Sequence, residues 1–166
     1  MAMIQLTAAD GHELSAYEAR PAGKARGGVV ILQEIFGVNP HIREVANGYA
    51  ADGYYAVAPA LFDRAERDVE LAYDKPAIDR GLALRKKISL DAMLADVAAA
   101  VDRASTAGRV AVIGYCLGGS LAWMAAQRLK GVSACIGYYG GMISGHLDPH
   151  PKVPVMLHFG TEDHGI

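Results

Sequence analysis

The residues best suited to chemistry are grouped around Cys116. The segment Gly114-Tyr115-Cys116-Leu117-Gly118-Gly119 follows a β-branched apolar run and precedes a helical pattern, so it has the form Gly-x-nucleophile-x-Gly. Such a turn lifts its central residue above the sheet edge, at a helix N-terminus where backbone N–H groups favour a thiolate and can face an oxyanion. The pattern predicts covalent catalysis by Cys116. The simpler alternative is a small buried cysteine in a glycine-rich turn.

Two carboxylates follow other predicted strands. Glu34 lies at the C-terminal end of the first buried strand, and Asp163 follows the last strand. Because chemistry in open α/β sheets gathers at the carboxyl ends of the strands, we expect both residues near Cys116. An acid after a later strand favours Asp163 as the acid of a triad, with Glu162 as its competitor. Taken alone, each carboxylate would be interpreted as a solvated loop residue.

The elements that must position these residues alternate between strand and helix. We predict strands at 3–7, 13–18, 28–33, 54–58, 109–114, 132–138 and 153–159, and helices at 42–51, 76–88, 90–104 and 118–129. Asp10-Gly11 makes the first two strands an antiparallel hairpin, and the charged stretch 61–75 is interpreted as a surface excursion. The alternation indicates an α/β fold with a doubly wound, mainly parallel sheet. No linker or repeat divides the chain, so we expect residues 1–166 to form a single domain.

Composition excludes several classes of function. The chain has 166 residues, with 16 Lys and Arg against 18 Asp and Glu, a net charge of −2, which provides no electrostatic footprint for nucleic acid. It contains no run of 18 apolar residues that would predict a membrane span, and its N-terminus does not have the pattern of a signal peptide. We therefore expect a cytoplasmic protein with reduced thiols, in which Cys135, in mid-strand, is a small buried hydrophobe.

Several motifs occur in a fixed order along the chain: QEIFG at 33–37, Arg43-Glu44, GYCLGG at 114–119, GYYG at 137–140 and HFGTEDH at 158–164. In these motifs the chain resembles the dienelactone hydrolase family, cysteine-dependent α/β-hydrolases also called carboxymethylenebutenolidases. The resemblance implies the α/β-hydrolase fold, a small-molecule lactone or activated ester as substrate, and an acyl-thioester intermediate. It implies no cofactor.

The resemblance also implies roles for individual residues. Cys116 would be the nucleophile and Asp163 the triad acid. Glu34 would hold the resting thiol and take part in its activation when substrate binds. The oxyanion hole would consist of the backbone N–H groups of Leu117 and Ile35.

Substrate contacts are expected from two further residues. Arg43 matches an arginine that lies near the glutamate in the family. Tyr138 and Tyr139 end a strand at the same sheet edge, and we place Tyr138 among the substrate-binding residues.

On the helix before the Cys116 strand, the family has an arginine and a tyrosine that meet the substrate carboxylate. Those positions fall near Ile78 and Leu82 in this sequence. Arg80 or Arg85 could compensate from a neighbouring turn, but both are interpreted as solvated helix charges.

The triad histidine is the feature of the family that we do not find in the sequence. In the family it lies beyond the acid, after another helix and strand, and none of the six histidines (His12, His41, His146, His150, His158 and His164) is a convincing substitute. We therefore expect the domain to be C-terminally incomplete and to lack its last helix–strand–helix part, with an open sheet edge and an uncovered apolar face. Steady-state hydrolysis is then expected to need residues beyond Ile166.

Other functions remain open at this point. His146, Asp148 and His150 could suggest a metal site, but their proline-broken loop offers no fourth ligand, so we predict none. A general carboxylesterase would use the same residues on another substrate. A non-catalytic protein with a binding or redox-sensing thiol is favoured by the missing histidine and opposed by the pairing of Glu34 with Cys116. No nucleic-acid or membrane partner is expected.

Overall fold

The computed structural model describes residues 1–163. Its strands are β1 (Ala2–Thr7), β2 (Glu13–Ala19), β3 (Gly28–Leu32), β4 (Tyr55–Pro59), β5 (Val110–Tyr115), β6 (Val132–Tyr138) and β7 (Val155–His158). Its helices are α1 (Pro40–Ala51), α2 (Lys75–Lys86), α3 (Leu90–Ala104) and α4 (Leu117–Arg128). The order and type of the predicted elements are confirmed, and their ends differ from the predicted ones by two residues at most.

The seven strands form one sheet in the order β1-β2-β4-β3-β5-β6-β7. The hairpin of β1 and β2 is antiparallel, β2 pairs antiparallel with β4, and all other neighbours are parallel. The carboxyl ends of β3, β5, β6 and β7 therefore share one edge. Glu34, Cys116, Tyr139 and Asp163 all follow strands at this edge.

Helices cover the sheet on both sides. Alternate residues of β3 show this, because Val30 and Leu32 pack into a core with α3 and α4, whereas Val29 and Ile31 pack with α1. Successive side chains of a strand point to opposite faces, so these two cores lie on opposite sides of the sheet. Every residue of β3 is buried, which explains its uninterrupted apolar sequence.

The stretch 61–75 is only partly a surface excursion. Its first residues form a short 3-10 turn in which Leu61 and Phe62 are fully buried. The carboxylate of Asp63 accepts a hydrogen bond from the backbone N–H of Ser15 at 2.7 Å. One apolar turn within a charged segment is too short to produce a periodic pattern, so it could not be predicted from the sequence.

The outer strands of the described sheet are β1 and β7. Met156 in β7 and Phe159 directly after it are about half exposed. The expectation of a further helix–strand–helix part at this side stays a prediction. Within residues 1–163, no helix is both long and apolar enough to cross a membrane.

Candidate active site

The turn that carries Cys116 has a backbone conformation that is uncommon for a residue with a side chain. Cys116 has φ 53° and ψ −111°, between the end of β5 and the start of α4. Hydrogen bonds on both sides hold it there: its N–H donates to the carbonyl of Tyr138 at 3.0 Å, and its carbonyl accepts from the N–H of Ser120 at 3.2 Å. Such strain persists only where the surroundings fix it, and it is concentrated at functional sites.

Glycines around this turn allow backbones to approach closely. A Cβ at Gly114 would lie 1.9 Å from the carbonyl oxygen of Gly118, and one at Gly118 would lie 2.4 Å from that of Leu32. The N–H of Gly118 donates to the carbonyl of Gln33 at 3.0 Å. The first turn of α4 is therefore tied directly to the end of β3, and the two motifs that carry Cys116 and Glu34 lie side by side.

The thiol of Cys116 is half-buried and has opposing influences on its ionisation. Burial is the largest and raises its pKa, and the negative charges of Glu34 and Asp163 raise it further. The N–H of Leu117 donates a hydrogen bond to the sulfur and opposes these effects. The net pKa is above the usual value. The helix N-terminus therefore acts as the sequence suggested, but burial outweighs it.

Two tyrosine hydroxyls hold the carboxylate of Glu34. Tyr73 donates to Oε2 at 2.6 Å, and Tyr139 donates to Oε1 at 3.1 Å. The amide of Asn39 in turn donates to the hydroxyl of Tyr73 at 3.3 Å. Burial, together with the Glu34 charge, raises the pKa of Tyr73 to about 12 and also raises that of Tyr139. Both phenols therefore remain protonated donors near neutral pH.

Tyr139 was expected at this sheet edge together with Tyr138, but only Tyr138 was placed among the substrate-binding residues, and Tyr73 was not predicted. Tyr139 has φ 42° and follows the end of β6, and its N–H donates to the carbonyl of His158 at 2.8 Å. The alternation of side chains along β6 could have separated it from Tyr138. Tyr73 has no comparable signal, because it lies in a charged, irregular segment.

Tyr138 itself lies on the α1 side of the sheet. Its ring stacks between those of Tyr115 and His158, with centroids 5.0 and 4.5 Å away. Its backbone carbonyl supports Cys116, as described above. Its proposed contact with substrate stays a prediction.

The guanidinium of Arg43 is turned toward Glu70 and away from the thiol pocket described below. Its Nη2 lies 2.8 Å from Oε2 of Glu70, and its Nη1 donates to the carbonyl of Val38 at 3.1 Å. The ion pair raises the pKa of Arg43 and lowers that of Glu70. Since its charge is already matched, the expected substrate contact of Arg43 is untested and has no support from this geometry.

A pocket of about 160 Å³ opens beside the thiol. It is lined by Ile35, Leu82, Arg85, Cys116, Leu117, Ser120, Gly141 and Met142. Helix α2 comes close to it, because a Cβ at Gly81 would lie 2.1 Å from the carbonyl oxygen of Ile35. We call it the thiol pocket. Apart from Arg85, no charged side chain lines the thiol pocket among the described residues.

Asp163 is exposed and follows the turn beyond β7. Its charge acts on Cys116, so the structure brings it to the same edge as Glu34. None of the five histidines within residues 1–163 lines the thiol pocket. His164, the sixth, lies outside the described residues.

The histidine-containing loop after β6 is held by hydrogen bonds. The carbonyl of His146 accepts from Trp123 Nε1 at 2.6 Å and from Gln127 Nε2 at 2.8 Å, and its ring Nδ1 lies 2.9 Å from the carbonyl of Met142. Across residues 1–163, no group of three or more His, Cys, Asp or Glu side chains could hold a metal ion.

Comparison with known proteins gives a consistent result. The model of the dienelactone hydrolase family matches residues 14–166. Carboxymethylenebutenolidase 1 of Cupriavidus pinatubonensis is 37% identical over 171 residues, which cover 98% of this chain and 72% of that protein. The carboxymethylenebutenolidase of Pseudomonas putida is 35% identical, with the same coverage.

Solved structures agree with this result. A putative dienelactone hydrolase from Klebsiella pneumoniae superposes with a TM-score of 0.67 at 32% identity, over 84% of this chain and 61% of that one. A dienelactone hydrolase-like promiscuous phosphotriesterase from metagenomic libraries has a TM-score of 0.68 at 22% identity, which supports the fold alone. The expected α/β-hydrolase fold is thereby confirmed, and the chain belongs to the dienelactone hydrolase family.

Proposed function

We propose that this protein hydrolyses lactones or activated carboxylic esters through an acyl-thioester on Cys116. The observation that carries the proposal is the strained conformation of Cys116 at the start of α4, with the Leu117 N–H on its sulfur and Glu34 beside it. A buried structural cysteine needs neither the strain nor the adjacent carboxylate. The family relatives, named as carboxymethylenebutenolidases, support the same reaction class.

The chemical steps follow from the positions of these groups. Because burial and nearby charge raise the pKa of Cys116, the thiol is neutral at rest, and attack requires a base to accept its proton. Glu34 is the proposed base. The sulfur bonds to the ester carbonyl carbon, and the resulting oxyanion is bound by the N–H groups of Leu117 and Ile35. The bond to the alcohol oxygen then breaks, and this oxygen leaves with a proton.

Turnover requires water to attack the thioester. We assign Asp163 the role of orienting an imidazole that lies outside residues 1–163 and deprotonates this water. Water adds its hydroxide to the acyl carbon, and the sulfur leaves and regains a proton. The products are a carboxylic acid and an alcohol. For a lactone, the two groups remain in one molecule, a hydroxy acid.

The raised pKa of Cys116 also bears on the redox-sensing alternative. Redox-sensing cysteines are ionised and accessible at neutral pH, because the thiolate is the species that oxidants attack. Cys116 is half-buried with its pKa above the usual value. A hydrolase with a carboxylate base needs no resting thiolate, so this feature favours hydrolysis.

Location in the cytoplasm and a single domain over residues 1–166 remain part of the proposal.

Paired cysteine variants test the proposal. Cys116→Ala should abolish release of p-nitrophenol from p-nitrophenyl acetate, in both the burst and the steady state, because no sulfur remains to be acylated. Cys135→Ala is the matched control and should retain the wild-type burst. A full burst in Cys116→Ala would refute the proposed nucleophile.

A further inference from the structure

The surface that lines the thiol pocket is almost entirely apolar. Ile35, Leu82 and Met142 belong to the lining, together with Cys116. Water against such a wall is displaced favourably by an apolar group. The thiol pocket therefore fits an apolar ligand that ends at the sulfur of Cys116.

The polar groups in the lining are engaged with the protein. The guanidinium of Arg85 donates from Nη1 to the carbonyl of Ile88 at 3.3 Å, and its Nη2 lies 3.6 Å from the sulfur of Met142. Its Nε is buried without a partner, so a ligand in the pocket does not reach it. The hydroxyl of Ser120 accepts from the N–H of Met142 at 3.1 Å. Arg85 thus presents mainly its aliphatic part to the pocket.

The other arginine in the middle of α2 behaves differently. Arg80 is largely exposed and forms an ion pair with Glu66, as expected for a solvated helix charge. Arg85 is only partly exposed and lines the thiol pocket. The sequence-based interpretation is therefore confirmed for Arg80 and wrong for Arg85.

The two sides of an ester make different demands on the site. The alcohol oxygen leaves with a proton, so the leaving group has to lie towards the acid–base groups, and Glu34 and Asp163 are outside the lining of the thiol pocket. The proposed oxyanion hole uses Leu117 and Ile35, which both belong to that lining. The remaining substituent of the carbonyl carbon is the acyl chain, and it is the part that the pocket receives.

The size of the thiol pocket limits the length of this chain. Its volume is about 160 Å³. An apolar cavity of about 150 Å³ in another protein holds one benzene molecule, which has six carbon atoms. The thiol pocket therefore accommodates an acyl group of about the same number of carbons.

We propose that the thiol pocket binds an uncharged, apolar acyl group of up to about six carbon atoms while Cys116 attacks its carbonyl carbon. This inference rests on the proposed function and names the substrate class of the same site. Leu82 determines specificity here, because it lines the pocket and, at 45% exposed, lies at its mouth. The same wall disfavours a chain that ends in a carboxylate, since the charge would lose its water there.

A series of p-nitrophenyl esters with unbranched acyl chains tests the length and polarity of the acyl group. Acylation of Cys116, followed as the burst of p-nitrophenol and as the mass of the acylated peptide, should accelerate about fourfold per methylene from acetate to hexanoate. It should accelerate no further at octanoate. The mono-p-nitrophenyl ester of adipic acid has a carboxylate in place of the terminal methyl of the hexanoate, and it should react more slowly than the hexanoate.

A pair of leucine variants tests the role of Leu82. Leu82→Gln should lower the ratio of the hexanoate rate to the acetate rate several-fold, because an amide at the mouth retains its water. Leu147→Gln makes the same change at a leucine that is 55% exposed and outside the lining, and it should keep the wild-type ratio. Both leucines are exposed, so neither change removes a core side chain.

A second reaction tests the pocket without ester chemistry. Methyl and hexyl methanethiosulfonate each convert a thiol to a mixed disulfide and release methanesulfinate. At Cys116 the hexyl reagent should react faster than the methyl one, and Leu82→Gln should reduce this preference while Leu147→Gln should not.

The results that would overturn the inference differ from those that would refute the nucleophile. Equal burst rates from acetate to hexanoate, a faster reaction of the adipate monoester than of the hexanoate, or an unchanged ratio in Leu82→Gln would each overturn it. Hydrolysis that survives in Cys116→Ala would refute the nucleophile. The disulfide rates would then decide alone whether the thiol pocket binds an apolar chain.

Discussion

The two cysteines of this chain belong to neighbouring parallel strands, Cys135 within one and Cys116 just past the end of the other. Only Cys116 has carboxylates near its sulfur. Cys135 is in the middle of β6 and is 1% exposed, and burial raises its pKa to about 12. Cys116 is one residue beyond the end of β5, where burial also raises its pKa but the N–H of Leu117 and two carboxylates act on the same sulfur. Cys135 has no comparable charged neighbour acting on it.

This difference shows what the end of a strand provides. Within β6, both chain neighbours of Cys135 are apolar, and burial outweighs the one backbone N–H, that of Val112, that lowers the pKa of this thiol. Beyond the strand, a helix start and the loops of neighbouring strands converge, and ionisation then depends on groups that can move or bind substrate. The two thiols should therefore differ most in their rates of reaction.

The first prediction concerns their reaction with iodoacetamide. We expect the folded protein to be labelled at Cys116 about a hundredfold faster than at Cys135, because Cys135 reacts only when the sheet opens. Peptide mapping by mass spectrometry after short exposures measures this ratio, and the unfolded protein in denaturant is the control in which the two rates converge. Faster labelling of Cys135 in the folded state would invalidate the comparison.

The second prediction concerns Glu34→Gln, which removes a negative charge next to the thiol. Because that charge raises the pKa of Cys116, its removal lowers the pKa, and the alkylation profile of Cys116 should move to lower pH. Ester hydrolysis should nevertheless fall by more than about tenfold, because the base is lost. Faster alkylation with slower hydrolysis is the expected combination. If both remain unchanged, Glu34 is a structural residue.

The third prediction concerns the hydroxyls that hold Glu34. Tyr139→Phe and Tyr73→Phe each remove one donor, and each should change the hydrolysis rate several-fold, the scale of a single hydrogen bond to a charged group. Tyr54→Phe, at a ring that packs against Tyr49 and Arg26, is a matched control. If all three variants hydrolyse ester at the same rate, the hydroxyls that bind Glu34 have no role in the reaction.

The fourth prediction concerns Asp163→Asn, which should cause the smallest change in the pKa of Cys116. The charge of Asp163 raises the pKa of Cys116 less than the charge of Glu34 does. The alkylation profile of Cys116 should therefore move to lower pH by a smaller amount than in Glu34→Gln. Stopped-flow alkylation across a pH series resolves the two shifts. A larger shift for Asp163 than for Glu34 would mean that the electrostatic roles of the two carboxylates are reversed.

Sequence patterns were sufficient for the features that depend on local spacing. The strands and helices follow from apolar periodicity, and the Cys116 turn follows from glycines whose absent side chains permit contacts such as that of Gly118 with Leu32. Convergence of Glu34 and Asp163 on Cys116 follows from the shared edge of parallel strands. These inferences need no knowledge of side-chain packing.

Other site features depend on tertiary contacts that no spacing encodes. Tyr73 reaches Glu34 across 39 residues of chain, from a segment without periodicity. Arg80 pairs with Glu66, whereas Arg85 on the same helix lines the thiol pocket. Arg43 is paired by Glu70, 27 residues away. Whether a charged side chain is solvated, paired or unsatisfied is decided by such contacts, so a sequence indicates its type and not its state.

The central claim is that substrate becomes covalently bound to the sulfur of Cys116, and a mass measurement on quenched protein tests it most directly. Brief reaction with p-nitrophenyl acetate, acid quenching and peptide mapping should place one acetyl group on the peptide that contains Cys116, with none on the peptide that contains Cys135. The adduct should be released by neutral hydroxylamine, as a thioester is. Rapid release of p-nitrophenol with no acetyl group on Cys116 at any quench time would contradict the account.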